Sequence, residues 1–243
     1  MATASPAPGI PVPSACSDRD AVTLASPNHG ERRDRARPDL VVIHYTAMAS
    51  CAESRARLCD PLAEVSAHWL IDLDGTTEQL VDETRRAWHA GAGAWGAVTD
   101  VNSRSIGIEL QNSGNTPFPN AQMDALERLL TAILARWHIP PQRVIAHSDM
   151  APDRKADPGP RFDWQRLARQ GLSVWPTKAQ ADPATFLPAL HAFGYPQAAP
   201  KTLLTAFRLR FRPWARGPLS AQDAGAALDL ATRFPVDAPA SGA

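Results

Sequence analysis

The chain has 243 residues, of which 44% are hydrophobic and 21% charged, enough for one catalytic domain plus a small appendage rather than a single unit of roughly 100–150 residues. Twenty-five Lys and Arg balance 25 Asp and Glu, and acids interrupt the densest basic stretch, Glu31-Arg32-Arg33-Asp34-Arg35-Ala36-Arg37, so the sustained positive field of a nucleic-acid binder is missing. No apolar run approaches the ~18 residues of a membrane span, and three cysteines without a C-x-x-C pair argue against a disulfide framework or a cysteine zinc knuckle.

Residues 1–22 are rich in Ala, Pro and Ser and read as disordered. They carry no basic region followed by an apolar core, so an export signal is not expected. A cytoplasmic protein follows from that, with the periplasm or cell envelope as the alternative. The β-branched run Asp39–Tyr45 predicts a buried strand, and Cys51–Leu62 has helical spacing. Ala67–Leu73 and Thr76–Val81 flank Asp74-Gly75, a strong hairpin signal. Ser105–Leu110 predicts another strand. Over 120–137, Met123, Leu126, Leu129, Leu130, Ile133, Leu134 and Trp137 recur at three- and four-residue steps, an amphipathic helix that Pro140-Pro141 should end. Arg143–His147 predicts a further strand. Strands mixed with helices imply an α/β domain over 23–176, a mixed central β-sheet flanked by helices. A linker at 177–183 leads to three helical segments near 184–194, 200–211 and 220–233. These make a small C-terminal all-α three-helix domain over 184–234, marginal alone, followed by a disordered tail at 235–243.

Two histidines stand at strand ends. His44 closes the 39–45 run and His147 the 143–147 run. With one carboxylate they supply three of the four ligands of a catalytic zinc, leaving a position for water. Asp149, Asp153 and Asp157 all lie in the following loop, and position alone does not choose among them. Glu109 shares a strand face with Ser105 and Gly107, so it sits beside a residue with no side chain. That arrangement suits a general base with space next to it, as it suits a sheet face open to solvent. Lys155 lies in the loop of the candidate ligands. It is either a cation for a developing oxyanion or a surface lysine.

Taken in order, five stretches resemble the type 2 N-acetylmuramoyl-L-alanine amidases, the AmpD/AmiD-like group, whose fold peptidoglycan recognition proteins share. They are Leu40-Val-Val-Ile-His-Tyr-Thr-Ala47, Ser66-Ala-His-Trp-Leu-Ile71 with Asp74-Gly75, Ala87-Trp-His-Ala-Gly91, Asn102–Leu110 with Asn112, and Ala146–Trp164. The resemblance implies Zn2+ held by His44, His147 and Asp157, with Glu109 as general base and Lys155 as oxyanion partner. It implies a peptidoglycan or muropeptide substrate, cut between the muramic-acid lactyl group and L-alanine. It also sets Trp88, His89, Asn112 and Arg154 near the substrate. His68 is expected inside the sheet, and His29, His138 and His191 in structural or exposed places. The C-terminal segments resemble a three-helix peptidoglycan-binding module, with Arg208 where that family has glutamine. A monomer is expected. A binding or sensing protein without turnover, and a zinc peptidase acting on another bond of the stem peptide, are the alternatives.

Overall fold

The computed structural model describes residues 22–23 and 26–237. The disordered segments expected at 1–22 and 235–243 lie outside these residues, apart from Val22 and the stretch 235–237. The first strands are β1 (Val22–Thr23), β2 (His29–Gly30) and β3 (Leu40–Tyr45). Ser50 then caps α1 (Cys51–Cys59), its hydroxyl accepting the Glu53 N–H, which satisfies one of the free amides of a helix start. β4 (Trp69–Ile71) and β5 (Thr77–Gln79) form the expected hairpin. Gly75 in its turn has φ +89°, and a Cβ there would lie 2.6 Å from the Ala121 carbonyl oxygen. Glycine is therefore required twice over, by backbone conformation and by space.

β6 (Arg86–Ala87) pairs with β2, and the single turn α2 (Val101–Arg104) leads into β7 (Ser105–Leu110). The amphipathic run forms α3 (Asn120–Trp137). It ends one step earlier than the prolines: His138 adopts φ 55° and its N–H bonds the Leu134 carbonyl, a left-handed cap. β8 (Val144–Ala146) is followed by α4 (His147–Met150), so the expectation that His147 closes a strand is corrected. His147 opens a helical turn instead. The cause is Asp149, whose carboxylate turns back to accept the Ala146 N–H at 2.8 Å, as the acidic third residue of a helix start does. α5 (Trp164–Arg169) is followed by α6 (Phe186–Phe193), α7 (Pro200–Phe211) and α8 (Ala221–Arg233).

The main sheet has the order β1-β5-β4-β7-β3-β8. β4, β7, β3 and β8 run parallel, and β5 is antiparallel to β4. This is the mixed, helix-flanked α/β sheet that the element pattern predicts. One face (Val41, Ile43, Ile106, Ile108, Val144) packs on α3 and α5. The other face offers Leu40, Val42 and Ile145, which share one continuous cluster with the three C-terminal helices. Phe186, Phe193, Phe207 and Phe211 are all buried there. Each such side chain contributes about 1.5–3 kcal/mol as an upper estimate. The connecting segment is also tied down: Thr177 bonds Asp229 and the Ala181 N–H bonds the Ala221 carbonyl.

Alternation along β3 sets Leu40, Val42 and His44 on the second face. The register pairs Val42 with Gly107 and His44 with Glu109. The apolar floor thus turns polar at the carboxyl ends of the parallel strands, where open α/β sheets hold their ligands. Among the described residues no helix is long and apolar enough to cross a membrane.

Candidate metal centre and active-site cleft

Three side chains from different parts of the chain converge at these strand ends. His44 comes from β3 and His147 from the first position of α4. Asp157 comes from the loop after α4, which a hydrogen bond from the Ser148 N–H to the Asp157 carbonyl at 3.0 Å holds against that helix. His44 Nδ1 lies 2.9 Å from His147 Nδ1, and each is 3.0 Å from Asp157 Oδ2. All three residues are buried. The other acids of the loop are elsewhere. Asp149 is engaged by the Ala146 N–H, Tyr195 and Arg210, and Asp153 is exposed to solvent.

The donor chemistry fits a metal. His147 Nε2 is 3.0 Å from the Ala90 carbonyl oxygen, an obligatory acceptor, so Nε2 carries the hydrogen and Nδ1 presents a lone pair. That lone pair faces an acidic oxygen with no hydrogen between them, an arrangement a cation relieves. Bonds of about 2.0 Å in a tetrahedron set ligands roughly 3.3 Å apart, within a few tenths of an ångström of the separations found. Two imidazoles and a carboxylate also form the three-ligand set that leaves a catalytic zinc one open position. Burial, and then the neighbouring His147, push His44 down to about 4, so it is neutral at pH 7 as a ligand must be.

These three residues stand in a cleft of about 480 Å³. Glu109 lines it, half-buried, and its Oε2 is sealed from solvent without a hydrogen-bond partner among the described residues. Burial, then the charge of Asp157, raise its carboxyl to about 8, against a smaller opposite pull from Lys155. A partnerless carboxylate oxygen in a cleft is costly unless a ligand uses it. Lys155 lines the cleft from its exposed loop. All five residues singled out for chemistry are thus brought to one place.

The four residues expected near a substrate are placed differently from one another. Trp88 lines the cleft, half-buried. Arg154 lines it too, yet its guanidinium is bonded to the carbonyls of Ala90 and Ala92. His89 lines the cleft beside His44, yet both of its ring nitrogens are engaged inside the protein. Asn112 does not line the cleft; it ties the 112–116 loop to itself through Gly114 and Thr116. His68 is fully buried in the sheet, as expected, with Nδ1 accepting the Gly107 N–H at 2.9 Å. Ser105 and Asn102, whose side chains hold the cleft wall, were not anticipated as functional, because their partners are set by strand register and loop path rather than by local pattern.

Residues 34–160 match the family model for N-acetylmuramoyl-L-alanine amidase. The chain is 40% identical over 209 residues to the N-acetylmuramoyl-L-alanine amidase AmiD of Escherichia coli K12, covering 72% of this chain and 75% of that protein. It is 34% identical over 166 residues to the 1,6-anhydro-N-acetylmuramyl-L-alanine amidase AmpD of Enterobacter cloacae, covering 61% of this chain and 88% of that one. Among solved structures, Escherichia coli AmiD in complex with the substrate anhydro-N-acetylmuramic acid-L-Ala-D-γ-Glu-L-Lys superposes with a TM-score of 0.74 at 37% identity, over 82% of this chain and 90% of that one.

Proposed function

Because the chain belongs to the N-acetylmuramoyl-L-alanine amidase family, we propose that it is a zinc-dependent amidase that hydrolyses the bond between the muramic-acid lactyl group and L-alanine, in cell-wall turnover or recycling. Its substrates are peptidoglycan or the muropeptides released from it; relatives are named for the ordinary and for the 1,6-anhydro form. The observation that carries the reading is the meeting of His44 Nδ1, His147 Nδ1 and Asp157 Oδ2 within 3.0 Å in the cleft where Glu109 Oε2 has no partner among the described residues. Those three side chains hold the zinc, which supplies Lewis acidity toward a water and the scissile carbonyl.

The remaining chemistry falls to the protein. Glu109 takes the proton of the attacking water and passes it to the leaving L-alanine nitrogen. Its sealed oxygen favours the neutral acid when the cleft holds no compensating charge, so a carboxyl raised to about 8 can both accept and return a proton near neutral pH. Lys155 at the rim stabilises the oxygen that becomes negative. Trp88 forms an apolar wall for the substrate, and Arg154 holds the 90–92 segment of that wall. The chemistry belongs to residues 23–176, with the 184–234 helices as an attached layer joined through 177–183.

The test is product analysis. The full chain, incubated with a defined muramyl-peptide in ordinary and 1,6-anhydro forms, is expected to release a peptide beginning with L-alanine. A chelator abolishes release and added zinc restores it. Zinc bound without release from either form would favour a peptidoglycan-binding protein without turnover. Cleavage within the stem peptide would favour a peptidase.

A further inference from the structure

We propose that His89, backed by Ser105, is a positioning residue that fixes the tautomer of His44 and thereby the metal affinity of the site, while the adjacent Ala90 carbonyl does the same for His147. The inference rests on the reading of His44, His147 and Asp157 as a zinc site. It is carried by a chain of hydrogen bonds whose directions leave one solution.

Ser105 Oγ lies 2.6 Å from the Val101 carbonyl oxygen. A hydroxyl has one hydrogen, and the carbonyl takes it. Toward His89 Nε2, 3.1 Å away, Ser105 can therefore only accept. His89 Nε2 must carry the ring hydrogen, which makes Nδ1 of the neutral ring an acceptor. His44 Nε2 is 3.0 Å from that Nδ1 and must donate to it. Nδ1 of His44 is then left with its lone pair, directed at Asp157 and His147. Three hydrogens in series thus point away from the metal position. Ser105, His89 and His44 are all buried, so water does not compete for these bonds.

The same loop serves the second histidine. The Ala90 carbonyl accepts from His147 Nε2 at 3.0 Å. The backbone N–H groups of His89 and Ala90 both donate to Asn102 Oδ1, at 3.1 and 2.8 Å. One side-chain amide therefore sets the loop that orients both imidazoles. The sheet makes room for it: a Cβ on Gly107 would fall 2.4 Å from His89 Cγ. The space beside Glu109 that a glycine suggests is occupied by this ring. Partners of this kind set ring orientation and ligand basicity, and losing one typically costs 10–100-fold in metal affinity.

The experiment measures zinc dissociation constants of the full chain by competition with a chromophoric chelator, and the visible spectrum of the cobalt(II)-substituted protein. Wild type is compared with His89→Phe, His89→Asn and Ser105→Ala. His89→Phe keeps the ring volume but removes the acceptor, and is expected to weaken zinc about 10–100-fold and to alter the cobalt spectrum. His89→Asn, whose amide oxygen falls near the Nδ1 position, is expected to recover most of that loss. Ser105→Ala frees the His89 tautomer and should weaken zinc measurably, by a smaller factor than His89→Phe. Zinc affinity within about twofold of wild type in a folded His89→Phe, or His89→Asn as weak as His89→Phe, overturns the proposal. If His89→Phe does not fold, unchanged affinity in Ser105→Ala overturns it. Failure of the wild type itself to bind zinc overturns the metal-site reading, and this proposal with it.

Discussion

In the metal-free cleft Glu109 is an acid kept neutral by burial and by Asp157, and that has a measurable sign. Its carboxyl is raised from 4.5 to about 8 by burial and then by Asp157. The folded chain therefore holds a proton that the unfolded chain has released between those values. Stability from this group is present in full below 4.5 and is lost as pH rises to about 8. Glu109→Gln keeps the neutral shape at every pH. In chelator-treated protein, the melting temperature of Glu109→Gln minus that of wild type is expected to grow by roughly 2–6 °C between pH ~5 and pH ~8.5. That corresponds to about 1–2 kcal/mol after discounting for the solvent that reaches its outer oxygen. His44 and His68, whose values are lowered to about 4 and about 3, slope the other way, but they are common to both proteins and cancel in the difference. A flat difference would mean that Glu109 is ionised in the metal-free cleft. Gly107 gives a second check at this scale: Gly107→Ala drives a methyl into His89 and should weaken zinc binding along with stability, measured by the same chelator competition.

At the scale of elements, what depends on neighbouring residues was legible and what depends on register was not. The period of α3, the hairpin at Asp74-Gly75 and the strand at Leu40–Tyr45 all follow from patterns a few residues long. The turn that begins at His147 follows from Asp149 two residues later, a helix-start signal obscured by the β-branched run before it. His44, Glu109, His147, Asp157 and Lys155 were legible through the ordered resemblance; each alone is an ordinary residue at a strand end or in a loop. The Ser105–His89–His44 chain was not legible, because it needs β7 beside β3 and the 87–91 loop behind both. The hairpin offers a direct test of local requirement. Gly75→Ala forces a side chain into φ +89° and against the Ala121 carbonyl. It is expected to cost about 2–3 kcal/mol, a fall in melting temperature of roughly 4–10 °C; a change under about 1 °C would mean that the turn relaxes freely.

At the scale of the whole molecule, the C-terminal helices are bound to the turn that begins at His147 by more than apolar contact. Arg210 of α7 is buried against Asp149 of α4, with a Nη1–Oδ2 distance of 2.5 Å, and also donates to the Val144 carbonyl. Its guanidinium lies over the Trp164 and Phe211 rings at 4.3 and 4.7 Å, and Tyr195 donates to the other oxygen of Asp149. These residues are 46 and 61 positions from Asp149, which is why no pattern in the chain announces them. Arg208, which stands where the resembling module has glutamine, is bonded to Asp223 and to the Gly217 and Pro218 carbonyls. Arg210→Met leaves the Asp149 charge buried and unpaired and should cost about 3–5 kcal/mol, read as a lower midpoint in a single thermal transition. Two separate transitions, with the first unchanged by the substitution, would contradict a shared core. The central claim, that Glu109 performs proton transfer in a cleft whose metal is held by other residues, is tested most directly by measuring zinc stoichiometry and product release on the same preparations of wild type and Glu109→Gln. The account expects about one zinc per chain in both and at least a 10²-fold loss of release in the variant. Release by Glu109→Gln near the wild-type rate, with zinc bound, would contradict it.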